Sequence, residues 1–302
     1  MAIPYYATLY IKNNGLYPEH AYSFTLLAIL PFIQGIYAAW KISGYKVTVW
    51  RATFLILAVY IIDSLVAAIQ FKEGYLCLLM AMPLYVSLII IGAWIGKRLL
   101  RIIKGKTLHS SLIPLVMVAV VYDTQNTPPD FANAISDAVT IQAPPEVVWK
   151  YIVQYPENTK PPEYWLWQIG LPAPIQSIAS DEKVGAEREC RFTNNIAFKE
   201  KITELTPGKV LTFDVTAQPD HPEIIGHFKL DKGQLYLEKN PDGSTTVIAT
   251  SWYRIYVRPA TYFDLWASDI VRNVHMRVLG HIKALAEQDV HRQDSAQHAS
   301  VY

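Results

Sequence analysis

Four apolar blocks crowd the first 122 residues, and the rest of the chain has the mixed pattern of a water-soluble domain. The blocks are 24–40, 52–71, 75–96 and the shorter 108–122, which contains Pro114. Asp63 is the only formally charged residue inside them. A run of about 20 apolar residues crosses the ~30 Å hydrocarbon core of a bilayer as a helix, because a helix satisfies its own backbone there. The expected architecture therefore begins with a transmembrane domain of four spans over 1–122. A polar, proline-bearing linker at 123–135 follows, and the soluble part begins at 136.

Basic residues set the orientation. Lys41, Lys46 and Arg51 lie between the first two blocks, and Lys97, Arg98, Arg101, Lys104 and Lys106 between the third and fourth. Between the second and third stand only Lys72 and Glu73, and the N-terminal tail has the single Lys12. Both basic loops face the cytoplasm only if the N-terminus starts outside. Four crossings then return the C-terminal domain to the extracytoplasmic side, the periplasm if the membrane is a bacterial inner membrane. If 108–122 is instead re-entrant or interfacial, the domain is cytoplasmic. The first block starts late, lacks a basic leader and is followed by Lys41, which argues against a cleaved signal peptide.

An acid at mid-bilayer costs at least ~2.5 kcal/mol on insertion scales, so Asp63 should face protein or water. Gln34 and Tyr60 are its expected partners. The pair Asp63 and Gln34 reads as an interhelical hydrogen bond, or alternatively as a proton or ligand site within the bundle.

With 27 basic and 26 acidic residues, the net charge of +1 gives no nucleic-acid surface. Cys77 and Cys190 fall in different compartments, which argues against a disulfide. There is no CxxC, no HExxH and no phosphate-cradling glycine loop, so neither a metal nor a cofactor is expected.

After the linker the pattern gives a short strand at 138–142, then Ala143-Pro-Pro-Glu, where two prolines suit the first turn of a helix. A second short helix is expected at 163–168. Period-two alternation then predicts strands at 175–180, 188–193, 196–205, 210–216, 224–230, 234–239 and 245–256. Turn chemistry separates them at Thr206-Pro-Gly208 and Asn240-Pro-Asp-Gly243. Trp266, Ile270, Val274, Val278, Ile282 and Leu285 recur every three or four residues, which predicts an amphipathic helix over 260–288. Residues 289–302 read as a polar tail. The fold class is α+β: a curved antiparallel sheet around a long C-terminal helix.

The opening strand with Ala143-Pro-Pro-Glu-Val-Val-Trp149, together with the terminal helix, resembles the START-like (SRPBCC, polyketide cyclase/lipid-transport) superfamily over residues 136–288. The motif is structural and moderately specific. The resemblance implies a helix-grip fold and a cavity for a hydrophobic ligand. It implies no universal catalytic residue, because the superfamily spans carriers, receptors, cyclases and chaperone activators.

Phe198, Glu200 and Ile202 share one face of the 196–205 strand, and a buried carboxylate needs a partner or a raised pKa. Glu200 is therefore a candidate polar anchor or general acid/base, unless Arg188 or Arg191 on the neighbouring strand pairs with it. Tyr253 can point a hydroxyl inward, and Phe263, Trp266, Ile270 and Trp252 are candidate lining residues or ordinary core. His227, His275 and His281 read as surface residues. No nucleophile–base pair is visible. The leading expectation is a membrane-anchored binding or transport module for a hydrophobic or lipid-like small molecule, with the bilayer as its other partner and a protein partner conceivable. The alternatives are a cyclase/hydratase-type enzyme using the same cavity, with Glu200 and Tyr253 as acid/base, and a ligand sensor coupled to the bundle.

Overall fold

The computed structural model describes residues 25–42, 49–71, 74–102, 118, 130–221, 223–224 and 227–299. Contacts divide the chain into two units. One comprises Met1–Pro129, Ile225–His227 and Tyr256–Phe263; the other comprises Asp130–Ile224, Phe228–Ile255 and Asp264–Tyr302.

In the first unit a π-helical turn, Thr25–Ile29, leads into α1 (Leu30–Ile42), followed by α2 (Val49–Phe71) and α3 (Tyr75–Ile102). Helices α1 and α3 touch backbone to backbone. A Cβ on Gly35 would lie 2.1 Å from the Ile89 carbonyl oxygen, and one on Gly92 would lie 2.1 Å from that of Phe32. A Cβ on Gly96, one turn on, would lie 2.9 Å from the Ile36 Cα. Gly92-Ala-Trp-Ile-Gly96 is thus a small-residue seam of the kind that lets helices approach closely in lipid. Helix α2 shows Phe54, Ile61, Ile62, Leu65 and Ile69 on its surface, Ile69 with 74% of its area exposed.

Among the described residues one helix, Tyr75–Leu99, is long and apolar enough to cross a membrane, with a mean hydropathy of 2.4. Leu27–Trp40 and Phe54–Ile69 are shorter apolar stretches. At ~1.5 Å rise per residue they fall short of a ~30 Å core. The expected count of four spans is therefore corrected to one among the described residues. The fourth block, 108–122, lies outside them except for Val118.

In the second unit seven strands form one antiparallel sheet. They are β1 (Phe131–Ile141), β2 (Pro174–Ala179), β3 (Glu187–Phe192), β4 (Ile196–Thr206), β5 (Val210–Ala217), β6 (Phe228–Lys239) and β7 (Thr245–Ile255). The order is β1-β7-β6-β5-β4-β3-β2, a meander with the first strand laid against the last. Two short helices, α4 (Pro145–Trp149) and α5 (Trp165–Gln168), fill the β1–β2 connection. Pro144 caps α4 in an extended conformation and Pro145 opens it, where a missing amide costs little. Helix α6 (Ala260–Ala299) closes the chain. The sheet is curled, and α6 rests on its concave side in a helix-grip arrangement.

Strand β1 alternates strictly between half-buried and exposed residues from Phe131 to Thr140. Phe131, Asn133, Ile135, Asp137, Val139 and Ile141 face the helix. The core gathers at one end of the grip, where Ile141, Val247, Leu211, Leu279, Ile282 and Ala286 are wholly buried. The N-terminus of α6 and the strand ends near it pack differently, as described below.

Three sequence expectations are corrected here. Strand β1 starts at Phe131, so part of the expected 123–135 linker is sheet; the two polar residues on its inner face hid the alternation. The strands expected at 224–230 and 234–239 are one strand, β6, with an irregular register between Leu230 and Lys232 that breaks the period at Asp231. Helix α6 continues to Ala299, through most of the expected polar tail.

Replacing Gly92 by Leu should separate α1 from α3, because the new side chain must enter space held by the Phe32 backbone. Thermal unfolding of the full chain in detergent should show a loss of several degrees, and Gly92→Ala a smaller one.

Candidate functional site

The inner face of the sheet carries two polar systems under α6. The first is an ion pair between Arg188 on β3 and Glu200 on β4, direct cross-strand partners with 3% side-chain exposure each. Arg188 Nε also donates to the Val153 carbonyl at 2.8 Å, and its guanidinium carbon lies 4.7 Å from the centre of the Phe213 ring. Burial pushes the Glu200 carboxyl above its ordinary range, and the adjoining guanidinium works against that shift. Tyr155 is buried beside the pair and meets His281 edge to face at 5.7 Å. Cys190, next to Phe198 across the strands, has its thiol pushed up to about 12 by burial, reinforced by the Glu200 charge.

The second system runs along the seam between β1, β7 and α6. His275 Nε2 lies 2.8 Å from Ser251 Oγ, and His275 Nδ1 lies 2.9 Å from Asp137 Oδ2. Arg272 Nε donates to the other oxygen of Asp137 at 3.0 Å. Ser251 stands opposite Ile135 on one side and Gly233 on the other. Gly233 has no room for a side chain, because a Cβ there would lie 2.4 Å from the Phe213 ring. His275 is buried, and desolvation holds its pKa below the usual 6.5 although Asp137 pulls it up. Two residues further along β7, Tyr253 donates to Asp264 at 2.7 Å, and Asn133 donates to both oxygens of that carboxylate at 3.0 and 2.9 Å. Burial, then the Asp264 hydrogen bond, raises the Tyr253 phenol well above its ordinary range. Phe228 stacks on Tyr253 with ring centres 5.3 Å apart.

Phe198, Glu200, Ile202 and Tyr253 point inward as expected. Glu200 is held by Arg188, the partner already weighed for it, and Tyr253 by Asp264, so neither is poised as a free acid or base. Trp266 meets Trp165 of α5 edge to face at 6.4 Å, and Ile270 follows one turn later on the same side. Phe263 belongs to the first unit, where it packs edge to face on Tyr262. Trp252 is corrected to the outer face, where the Lys232 ammonium lies over its ring at 5.2 Å. His275 and His227 are both buried rather than surface residues, with 6% and 9% exposure. His281 keeps its surface role, within 3.0 Å of the Pro156 carbonyl oxygen.

The expected interhelical bond at Asp63 forms: Gln34 donates to it at 2.8 Å. The Tyr85 hydroxyl lies within hydrogen-bond distance of both, at 2.6 Å from Asp63 and 2.9 Å from Gln34. Tyr60, the other expected partner, donates to the Leu78 carbonyl instead, and its ring packs at a steep tilt against that of Tyr85.

Sequence reasoning missed Ser251, His275 and Asp137 as a group. The available signal was polarity in the wrong place. His275 interrupts the stripe Val271, Leu279, Ile282 on α6, and Asp137 interrupts Ile135, Val139, Ile141 on β1. Their meeting depends on the β1–β7 pairing, which separates them by more than a hundred residues of chain.

No protein-family model matches the chain, and neither does any curated protein. Solved structures similar to it include norcoclaurine synthase from Thalictrum flavum, at 10% identity over 55% of this chain and 97% of that one, with a TM-score of 0.36. Ara h 8.0201 is 12% identical over 52% and 98%, with a TM-score of 0.34. Protein CV1439 from Chromobacterium violaceum is 20% identical over 51% and 97%, also at 0.34. The chemistry of the site rests on its own residues.

Arg188→Met should destabilise the second unit by about 3–5 kcal/mol, because it strands a buried carboxylate. Adding Glu200→Leu should recover most of that loss, as read by urea unfolding of both variants. The depressed His275 pKa has its own consequence. The unfolded chain takes up a proton at this residue that the folded chain refuses, so stability is complete above about pH 6.5 and falls as the pH drops through that value and below. Urea midpoints at pH 7.5 and 5.5 should differ less in His275→Gln than in the parent.

Proposed function

We propose that the second unit is a START-like binding module for a hydrophobic or lipid-like small molecule, tethered to a bilayer by the first. The supporting observation is the change of packing along α6. Leu279, Ile282 and Ala286 have no accessible surface. Two to five turns earlier, Trp266 and Ile270 keep some, and so do Ile135, Phe213 and Leu230 on the inner face of the sheet. A grip sealed at one end and lined at the other by half-covered apolar groups suits a guest with an apolar body. The polar groups at Ser251, His275 and Tyr253 in the same seam suit a guest with a polar end. The exposed apolar residues of α2 and the Tyr75–Leu99 helix suit burial in lipid. Tethering raises the effective concentration of a membrane-resident ligand at the module.

By the basic-residue rule, the C-terminal end of Tyr75–Leu99, which carries Lys97 and Arg98, sits at the cytoplasmic face. We propose the extracytoplasmic side for the module, as the distribution of basic residues along the sequence suggests. In inside-out vesicles it should then resist added protease; digestion there would place it in the cytoplasm.

Binding is tested on the full chain in detergent with a fluorescent long-chain fatty acid and with native mass spectrometry of co-purified lipid. Saturable 1:1 binding is expected, and Ile270→Trp should weaken it at least about tenfold without lowering the melting temperature. A folded protein that neither carries lipid nor binds the probe overturns the reading.

A further inference from the structure

We infer that Asp137, His275 and Ser251 form a proton relay that makes Ser251 Oγ a nucleophile toward the carbonyl carbon of an ester-bearing amphiphile. This rests on the binding module proposed above and names a reaction class for the same seam. The three residues come from β1, α6 and β7, and their hydrogen bonds are 2.9 and 2.8 Å long. That is the geometry of a nucleophile, a base and an orienting acid, which is recognised by roles rather than by chain order. An Asp137 carboxylate on Nδ1 selects the tautomer that carries its proton there, which leaves the Nε2 lone pair directed at the serine. Arg272 holds the second oxygen of Asp137 and so fixes its plane. Asp137 and Arg272 are positioning residues; Ser251 and His275 would meet the substrate.

A purely structural hydrogen-bond chain needs only to satisfy a buried imidazole. Two features go beyond that need. Ser251 keeps accessible surface although it lies on a strand paired on both sides. Gly233 opposite it carries no side chain, so the neighbouring wall is the flat Phe213 ring. The hydroxyl therefore borders the apolar lining proposed to take the ligand.

The chemistry balances with water alone. A bond forms between Ser251 Oγ and the ester carbonyl carbon as the hydroxyl proton passes to His275 Nε2. The ester C–O bond then breaks, and the departing alkoxide takes that proton. Water deprotonated by the same nitrogen next attacks the acyl-serine, releases the carboxylic acid and restores the hydroxyl.

The test uses the full chain in detergent with two serine-directed reagents, diisopropyl fluorophosphate and a fluorophosphonate bearing a long alkyl chain. Intact mass and peptide mapping should show one adduct, on Ser251. The adduct should be absent in Ser251→Ala and form about 100-fold more slowly in His275→Gln. Its rate should rise with pH to a plateau as His275 loses its proton, the charged groups beside it being Asp137 across from β1 and Arg272 on its own helix. A structural role would give no such profile. Folded protein that binds the fatty-acid probe but reacts with neither reagent overturns the relay and leaves the binding module standing. Labelling of Ser251 by the small reagent without probe binding supports the nucleophile and removes the lipid-like ligand. An adduct that persists in Ser251→Ala overturns the assignment to this residue.

Discussion

The antiparallel pairing of β1 with β7 decides which side chains meet under α6. Its register sets Ile135 against Ser251, Asp137 against Ala249 and Asn133 against Tyr253. Because side chains alternate between faces, a slip of one residue would turn the whole inner row of β1 outward. Asp137 would leave His275, and Asn133 would leave the Tyr253–Asp264 pair. The apolar members of the row, Ile135, Val139 and Ile141, make that slip costly, since a fully buried side chain such as Ile141 contributes about 1.5–3 kcal/mol. The polar residues ride on a register that their apolar neighbours enforce.

Along α6 the same helix meets two different environments. Near Leu279 and Ile282 it packs on aliphatic side chains of β1, β5 and β7, and its flanks are tied by Lys283 to the Thr140 carbonyl and by Glu287 to the Gln142 amide. Toward its start its Asp264 meets Tyr253 and Asn133, and farther along its His275 meets Ser251. On the other side, Arg277 donates to the carbonyls of Pro174 and Lys160, and Tyr164 to Asp269. The helix is thus bound to both ends of the strand order, β1 and β2. That keeps the curled sheet from opening and holds the polar groups at fixed spacing.

Much of this was legible from the sequence. The strands rich in period-two alternation, the turn at Asn240–Gly243 and the amphipathic stripe of the terminal helix fell where local physics put them. The places that misled were those where a polar residue sits in an apolar pattern. Asn133 and Asp137 made the first half of β1 look like linker, and the irregularity at Asp231 made one strand look like two. His275 was read by residue type rather than by its position between Val271 and Leu279. Glu200 was placed on the right face, and the partner considered for it, Arg188, proved to be the one that neutralises it. Pairings between distant segments, such as Asp137 with His275, leave no trace in local spacing. In the first unit the Gln34–Asp63 bond was legible, whereas hydropathy alone overcounted the helices long enough to span a bilayer. The Gly92–Gly96 seam was readable in principle as a small-residue repeat but was not singled out.

Cys190 sits beside the Arg188–Glu200 pair with its thiol held near 12 by burial and by the neighbouring carboxylate. Burial thus disfavours the thiolate, the form that attacks disulfides and is oxidised. The only other cysteine, Cys77, is buried in α3. Raised in this way, the Cys190 thiol is a poor nucleophile, and the residue serves its strand as a small apolar filler beside Phe198.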